Sequence, residues 1–190
     1  MRGLFVTFEG IDRSGKTTQA RLLCEALGEE AVGVREILKD PESPLTAQAE
    51  ALLFAAARAQ LVAEVIRPAL EGGKVVVSDR FLDSSLAYQG AARGLGVEAV
   101  ERINRFATGD LVPDLTFLLA IDPAAAAARA GETDRIEGEG EALQRAVLDS
   151  YEELASIDPE RWRRLDADRP PEQVHADVLA AVEAARGVPA

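Results

Sequence analysis

The sequence predicts an α/β protein, a doubly wound parallel five-stranded sheet flanked by helices. Three observations point there. Short apolar and β-branched runs, at 4–8 (LFVTF), 74–78 (KVVVS) and 115–121 (LTFLLAI), lack the alternation of a strand with one wet face. These runs alternate with longer alanine- and leucine-rich stretches of helical character, the order that builds a parallel sheet covered on both sides. Between the first run and the first helical stretch lies GIDRSGKT, a glycine-bearing loop with the spacing of a phosphate-binding turn.

Residues 4–8 read as the first strand. Residues 17–27 follow as a helix, with Leu22, Leu23, Ala26 and Leu27 on one side and Gly28 as its stop. Residues 31–34 give a short second strand. Residues 45–70 are strongly helical, with Pro68 expected to end or bend the helix because proline lacks the N–H. The turn Gly72-Gly73 leads into the third strand. The stretch up to Gly96 reads as rich in loops, and residues 97–107 as a helix. After the fourth strand, 115–121, Asp122-Pro123 opens an alanine-rich helix that meets the break AGETDRIEGEGE. A helix over 142–155, a strand at 162–165 and a helix from Pro171 complete the order. No repeat or linker divides the chain, so 1–190 reads as one domain with a short lid at approximately 129–141.

Composition narrows the chemistry. A chain of 190 residues, 47% hydrophobic and 28% charged, can bury one sizeable core. It shows neither a membrane-length apolar run nor a signal-like leader, so a cytoplasmic location is expected. Cys24 is the only cysteine and His175 the only histidine, which excludes an internal disulfide, a thiolate cluster and a multi-histidine metal site. His175 is expected at the surface of the last helix. A net charge of −12 argues against nucleic acid or an anionic membrane as partner. Any polyanion must therefore bind in a local pocket where arginines converge.

Gly10-Ile11-Asp12-Arg13-Ser14-Gly15-Lys16-Thr17 matches G-x-x-x-x-G-K-[ST]. Its glycines let the backbone curl until successive N–H groups cradle an anion, and the following helix aims its positive end at the same place. Lys16 would reach the outer phosphates of a nucleoside triphosphate, and the Thr17 hydroxyl would bind Mg²⁺. Switch GTPases, motor-like ATPases and metabolite kinases all use such a loop. The chain has no N-K-x-D stretch and is short for an oligomeric ATPase module, which favours a small-molecule kinase.

A second anion site is expected at Asp79-Arg80, which end the third strand and so share the sheet edge that carries the loop. The Arg80 guanidinium fork suits a second phosphate, and Asp79 suits either Arg80 or hydrated Mg²⁺. A structural Asp–Arg pair is the alternative. Phe54 and Arg58, four apart on one helix face, could stack on a base and donate to its carbonyl. Helical spacing alone favours a core Phe and a solvated Arg. Tyr88 and Gln89, read as loop residues, offer a ring and an amide near Arg80. In the lid, Arg129 and Asp134-Arg135 either face solvent or close over the transferred group.

Together these motifs resemble the thymidylate kinase (dTMP kinase) family of P-loop nucleoside-monophosphate kinases. The resemblance rests on FEGIDRSGKTTQ, LLFAAARAQLV with VIRPAL, VVVSDRFLDSSLAYQGAARG, PDLTFLL, DRIE and LDADRPPEQV, which span almost the whole chain. It implies the reaction of Mg²⁺-ATP with dTMP to give ADP and dTDP, and a homodimer to which the apolar face within 51–66 contributes. The loop Gly10, Ile11, Asp12, Arg13, Ser14, Gly15, Lys16, Thr17 and Thr18 would hold ATP, with Asp12 also approaching the 3′-hydroxyl of dTMP. Arg80 would hold the acceptor phosphate, Phe54 stack on thymine, Arg58 meet its carbonyl and Tyr88 pack on the deoxyribose. Ser84, Ser85 and Gln89 belong to the same acceptor motif, Thr17 and Asp79 to the metal, and Arg135 to the lid. Arg13 looks like the arginine that offsets charge between the two phosphates. An acceptor phosphate, with a second pKa of about 6, is already ionised at neutral pH and needs no general base.

The chain departs from the family at VGVREILKDPESP, where relatives carry Arg-Glu-Pro-Gly-Gly, and Arg35 is therefore left out of the site. That gap supports another reading, an ATP-binding pseudoenzyme or regulator; a closer rival is a monophosphate kinase for another base, although an Arg facing a carbonyl suits thymine or uracil better than the amino edge of adenine or cytosine.

Overall fold

The computed structural model of the chain describes residues 3–28, 31–35, 46–129 and 140–187. Five strands form one sheet in the order β2-β3-β1-β4-β5, and every pairing is parallel. The strands are β1 (Phe5–Glu9), β2 (Ala31–Arg35), β3 (Val75–Asp79), β4 (Leu115–Ala120) and β5 (Trp162–Asp166). The chain winds from β1 out to β2 and back to β3, then crosses β1 to reach β4 and β5. Winding therefore reverses at β1, and the loops beyond the C-terminal ends of β1 and β3 open where α/β sheets place their ligands.

Side chains alternate across the sheet, so both faces must be apolar. Phe5 and Val76 face one layer with Ile66, Phe81 and Val100. Val6, Phe8, Val75 and Val77 face the other, with Leu23, Val147 and Val178. Phe8 stacks on Phe117 at 5.3 Å and Phe5 meets the edge of Phe81 at 4.9 Å, which ties β1 to β4 and to the chain leaving β3.

Helix α1 (Lys16–Leu27) stops at Gly28, and α2 (Ala47–Leu61) starts at Thr46, whose Oγ1 accepts from Ala49 N–H at 3.2 Å. The regular helix is interrupted just before Pro68 and ends three residues after it. A wide turn, Val62–Ile66, comes first, in which Arg67 N–H donates five residues back to the carbonyl of Val62. Pro68 then falls among the first residues of α3 (Arg67–Glu71), where its missing N–H costs little.

The stretch expected to be loop-rich is instead helical and buried. It comprises α4 (Leu82–Ser85) and a wide helix over Leu86–Ala92. Gly90 permits close packing: a Cβ there would lie 3.1 Å from Cα of Val97. Four further helices follow, α5 (Val97–Thr108), α6 (Pro123–Ala128), α7 (Glu141–Ile157) and α8 (Pro171–Arg186). His175 on α8 is half-buried rather than at the surface. Most of the expected lid, including Asp134 and Arg135, lies outside the described residues, as do the positions after Arg35. Among the described residues no helix is long and apolar enough to cross a membrane.

Candidate active site

The loop after β1 carries its glycines where the backbone requires them. Gly10 has φ 142°, and a Cβ on it would lie 2.7 Å from the carbonyl oxygen of Leu119. Gly15, at φ 99°, turns the chain into α1 and leaves the first-turn N–H groups of Lys16, Thr17 and Thr18 without partners inside the helix. The Ile11 side chain is fully buried and anchors the loop in the core, so only its backbone is available to a ligand.

Lys16 lies under this loop, 6% exposed, donating to the Ile11 carbonyl at 2.6 Å and to Ser14 Oγ at 3.3 Å. Burial, reinforced by the Arg80 charge, lowers its ammonium to about 8 against the opposing pull of Asp12, Asp79 and Glu9. Thr17 Oγ1 donates to Asp79 Oδ2 at 2.5 Å, which brings the two expected Mg²⁺ residues together. A hydroxyl and a carboxylate are hard oxygen donors. They fit Mg²⁺, which keeps waters and takes phosphate oxygens rather than an all-protein cage. Among the described residues, no group of three or more His, Cys, Asp or Glu is placed to hold a metal.

Opposite the loop, Arg80 sits at φ 70° with its guanidinium directed into the site. Nη2 pairs with Asp12 Oδ1 at 2.5 Å and reaches the Tyr88 hydroxyl at 3.4 Å. Nη1 donates to the Gly10 carbonyl and Ser84 Oγ at 3.3 Å and to the Tyr151 hydroxyl at 3.4 Å. The guanidinium carbon lies 5.0 Å from the Tyr88 ring centre. Burial works against its charge, but Tyr88, Tyr151, Asp12 and Asp79 outweigh burial and hold it protonated more firmly than usual.

Asp12 also takes the amide of Gln144 at 2.7 Å, which brings α7 to the loop. Arg13, at φ 60°, donates from Nη1 to the carbonyls of Ala127 and Arg129, both at 3.2 Å. Lys16 and the loop N–H groups thus lie on one side and Arg80 on the other, with Asp12 between them, cationic groups placed so that they could hold two anions. This is the arrangement of an enzyme that passes a phosphoryl group from one bound phosphate to another.

The thymidylate kinase family model matches residues 8–178 of the chain. The chain belongs to the thymidylate kinase family. It is 48% identical to the thymidylate kinase of Pelotomaculum thermopropionicum, over 96% of this chain and 94% of that protein. It is 43% identical to that of Deinococcus radiodurans, over 95% and 97%. The crystal structure of thymidylate kinase from Ehrlichia chaffeensis superposes with a TM-score of 0.79 at 28% identity, covering 96% of this chain and all of that one. The parallel α/β architecture is shared.

The remaining thymidylate kinase residues fall on α2 and around α4. Helical spacing favoured a core Phe54 and a solvated Arg58; the structure reverses this. Phe54 is half-buried, while Arg58 is fully buried and donates to the Phe81 carbonyl at 3.0 Å and to Asn104. Gln89 is 3% exposed, and its amide donates to Glu50 Oε1 at 2.8 Å. Glu50 in turn pairs with Arg93 at 3.0 Å. Ser84 and Ser85 are buried in α4.

Several members of this site were given no role from the sequence. Glu9 ends β1, fully buried, and accepts from Phe81 N–H, Ser84 Oγ and the Tyr151 hydroxyl. It stands in FEGIDRSGKTTQ, a charged residue closing an apolar strand. Gln144, Val147 and Tyr151 share one face of α7, visible only once that face has a target. Asp83, 1% exposed at its side chain, is gripped by Arg161 at 2.7 Å and 3.0 Å, which locks α4 to the start of β5.

Proposed function

We propose that the chain phosphorylates dTMP to dTDP with Mg²⁺-ATP as donor. The observation that carries this reading is Arg80, held across the sheet edge from the Lys16 loop by Asp12, Ser84 and Tyr88. A fixed guanidinium fork at that place suits the two oxygens of an acceptor phosphate. Names given to relatives 43–48% identical support the same substrate.

In this mechanism the loop from Gly10 to Thr18 binds the donor phosphates, and Lys16 carries positive charge to the outer ones. Thr17 and Asp79 would hold Mg²⁺, which would neutralise phosphate charge when bound. Arg80 and Ser84 orient the acceptor phosphate, and Asp12, paired with Arg80, receives the sugar hydroxyl. Tyr88 packs on the deoxyribose. Phe54, Arg58, Ser85 and Gln89 enclose the base, Arg58 and Gln89 through groups that now bond within the protein. Arg13 offsets charge in the transition state by exchanging its carbonyl partners for phosphate oxygens, and Arg135, of the expected lid, is the further catalytic arginine of this reading. The catalytic work is positioning and charge stabilisation.

The same reading makes the chain one kinase domain acting in the cytoplasm as a homodimer. Exposed Leu52 and Leu53 on α2 and Phe106 on α5 supply the apolar face. ADP release with dTMP, dUMP, dCMP, dGMP and AMP offered separately tests the substrate. Preference for dTMP is expected; ATP binding without turnover on any acceptor would favour a pseudoenzyme instead.

A further inference from the structure

We infer that Glu9 is a proton-linked positioning residue, which takes up a proton when a dianionic phosphate docks on Arg80 and thereby turns the Ser84 hydroxyl toward that phosphate. The inference rests on the acceptor site proposed above and adds to it a proton and a hydroxyl that changes direction.

The geometry is a carboxylate and a guanidinium bridged by two hydroxyls. Glu9 Oε2 lies 2.6 Å from Ser84 Oγ and 2.8 Å from the Tyr151 hydroxyl. The same two oxygens accept from Arg80 Nη1 at 3.3 Å and 3.4 Å. An ionised carboxylate only accepts hydrogen bonds, so both hydroxyls can spend their protons on Glu9. A neutral Glu9 has an O–H of its own. One hydroxyl must then accept from it, and its proton is released. The two hydroxyls lie 2.9 Å apart, but Tyr151 is fully buried while Ser84 is 7% exposed, so Ser84 is the hydroxyl that can offer its proton to a phosphate on Arg80.

Charge accounting explains why the proton goes to Glu9. The charged groups facing it are Arg80 and Asp83 from the chain after β3, and Lys16 from the phosphate loop. Tyr151 faces it from α7. Arg161 reaches this cluster through Asp83, and Asp12 through Arg80. Asp83 has both oxygens in the Arg161 fork, and Asp12 is paired with Arg80. Glu9 instead meets hydroxyls and one N–H, groups that can reverse or tolerate the neutral acid. Burial, and then the Asp83 carboxylate, lift it to about 7. A phosphate dianion arriving at Arg80 adds negative charge to a buried cluster, and protonation of Glu9 removes it. The proton comes from the buffer; no other bond is made or broken. A purely structural Glu9 would cap α4 through Phe81 N–H and take up nothing.

Calorimetric titration of dTMP into the full chain at pH 7.5, in buffers of different ionisation enthalpy, counts the protons. Wild type should take up about 0.5 proton per dTMP, because an acid near 7 is only partly protonated there and dTMP is already a dianion. Thymidine, which lacks the phosphate, should give none. Glu9→Gln, isosteric with the neutral acid, should bind dTMP with uptake lost. No uptake in wild type, equal uptake with thymidine, or undiminished uptake in Glu9→Gln would each overturn the inference. A parallel turnover assay separates the two claims. Turnover without uptake overturns the proton link alone, whereas uptake on dTMP binding without dTDP formation supports the link and counts against dTMP as substrate.

Discussion

Arg13 and Arg129 bind each other's backbone: Nη1 of each guanidinium donates to the other's carbonyl oxygen at 3.2 Å. Arg129 Nη2 also donates to the Ala167 carbonyl at 2.6 Å and lies 3.5 Å from Asp168. The clasp joins the phosphate loop to the end of α6 and to the chain after β5. Two like charges sit together because each is solvated by carbonyl oxygens.

Arg13 is a tether in the structure, and in the proposed mechanism it is a charge stabiliser as well. Arg13→Ala should lower kcat by about 100-fold or more, as loss of a transition-state arginine does. Arg129→Ala, which breaks the clasp from the other side, should leave kcat within about threefold. Equal losses in steady-state kinetics would reduce Arg13 to a tether.

Arg80→Lys keeps the charge and removes the fork. Its kcat/KM for dTMP should fall about 100-fold while KM for ATP changes little, since a point charge cannot hold two phosphate oxygens at once. A matched loss for both substrates would place Arg80 in structural support.

Lys16, lowered to about 8 by burial, loses its charge as pH rises through that value. The kcat/KM for ATP, which reports the free enzyme, should fall above about pH 8. Between 8 and the unfolded-state value of 10.5 the unfolded chain binds more protons, so the Lys16 contribution to stability rises as activity falls. A flat alkaline profile to pH 9.5 would contradict this.

Glu9 has the opposite sign. Its folded-state value is raised from 4.5 to about 7, so the folded chain holds the extra proton between them. The stability this provides is fully present below 4.5 and is lost as pH rises through 7. The loss is of order 3 kcal/mol. Glu9→Gln lacks this dependence, and the gap in urea midpoint between variant and wild type should move in the variant's favour from pH 5 to 8.

Asp83→Ala leaves Arg161, half-buried beside Trp162, without its main partner and with only Asp158 and Thr116 on its guanidinium. Breaking such a pair from one side costs about 3–5 kcal/mol, readable as a lower urea midpoint. A change below about 1 kcal/mol would mean that the pair is dispensable.

Strands β1, β3 and β4 were legible in the sequence because they are buried on both faces and read as continuous apolar runs, whereas β5 at the sheet edge buries mainly Trp162. The phosphate loop was legible because its glycines and Lys16 keep a fixed local spacing. Residues 82–92 were misread: Ser84-Ser85 and Gln89-Gly90 suggest turns, yet the helix persists because its polar groups find partners elsewhere in the fold. Ser84 meets Glu9, and Gln89 meets Glu50. Likewise Arg58 could not be placed from its own helix, because its partners Phe81 and Asn104 lie on other segments. Local spacing reveals groups that act beside their neighbours in sequence. The supporting network of Glu9, Gln144 and Tyr151 forms only when β1, α4 and α7 meet.

The most direct test is product identification: dTMP, ATP and Mg²⁺ incubated with wild type and with Arg80→Ala, and the nucleotides separated. The account predicts dTDP and ADP in equal amounts from wild type, and a loss of at least about 100-fold in the variant. ADP without dTDP, or dTDP formed equally well by the variant, would contradict an acceptor phosphate held by Arg80.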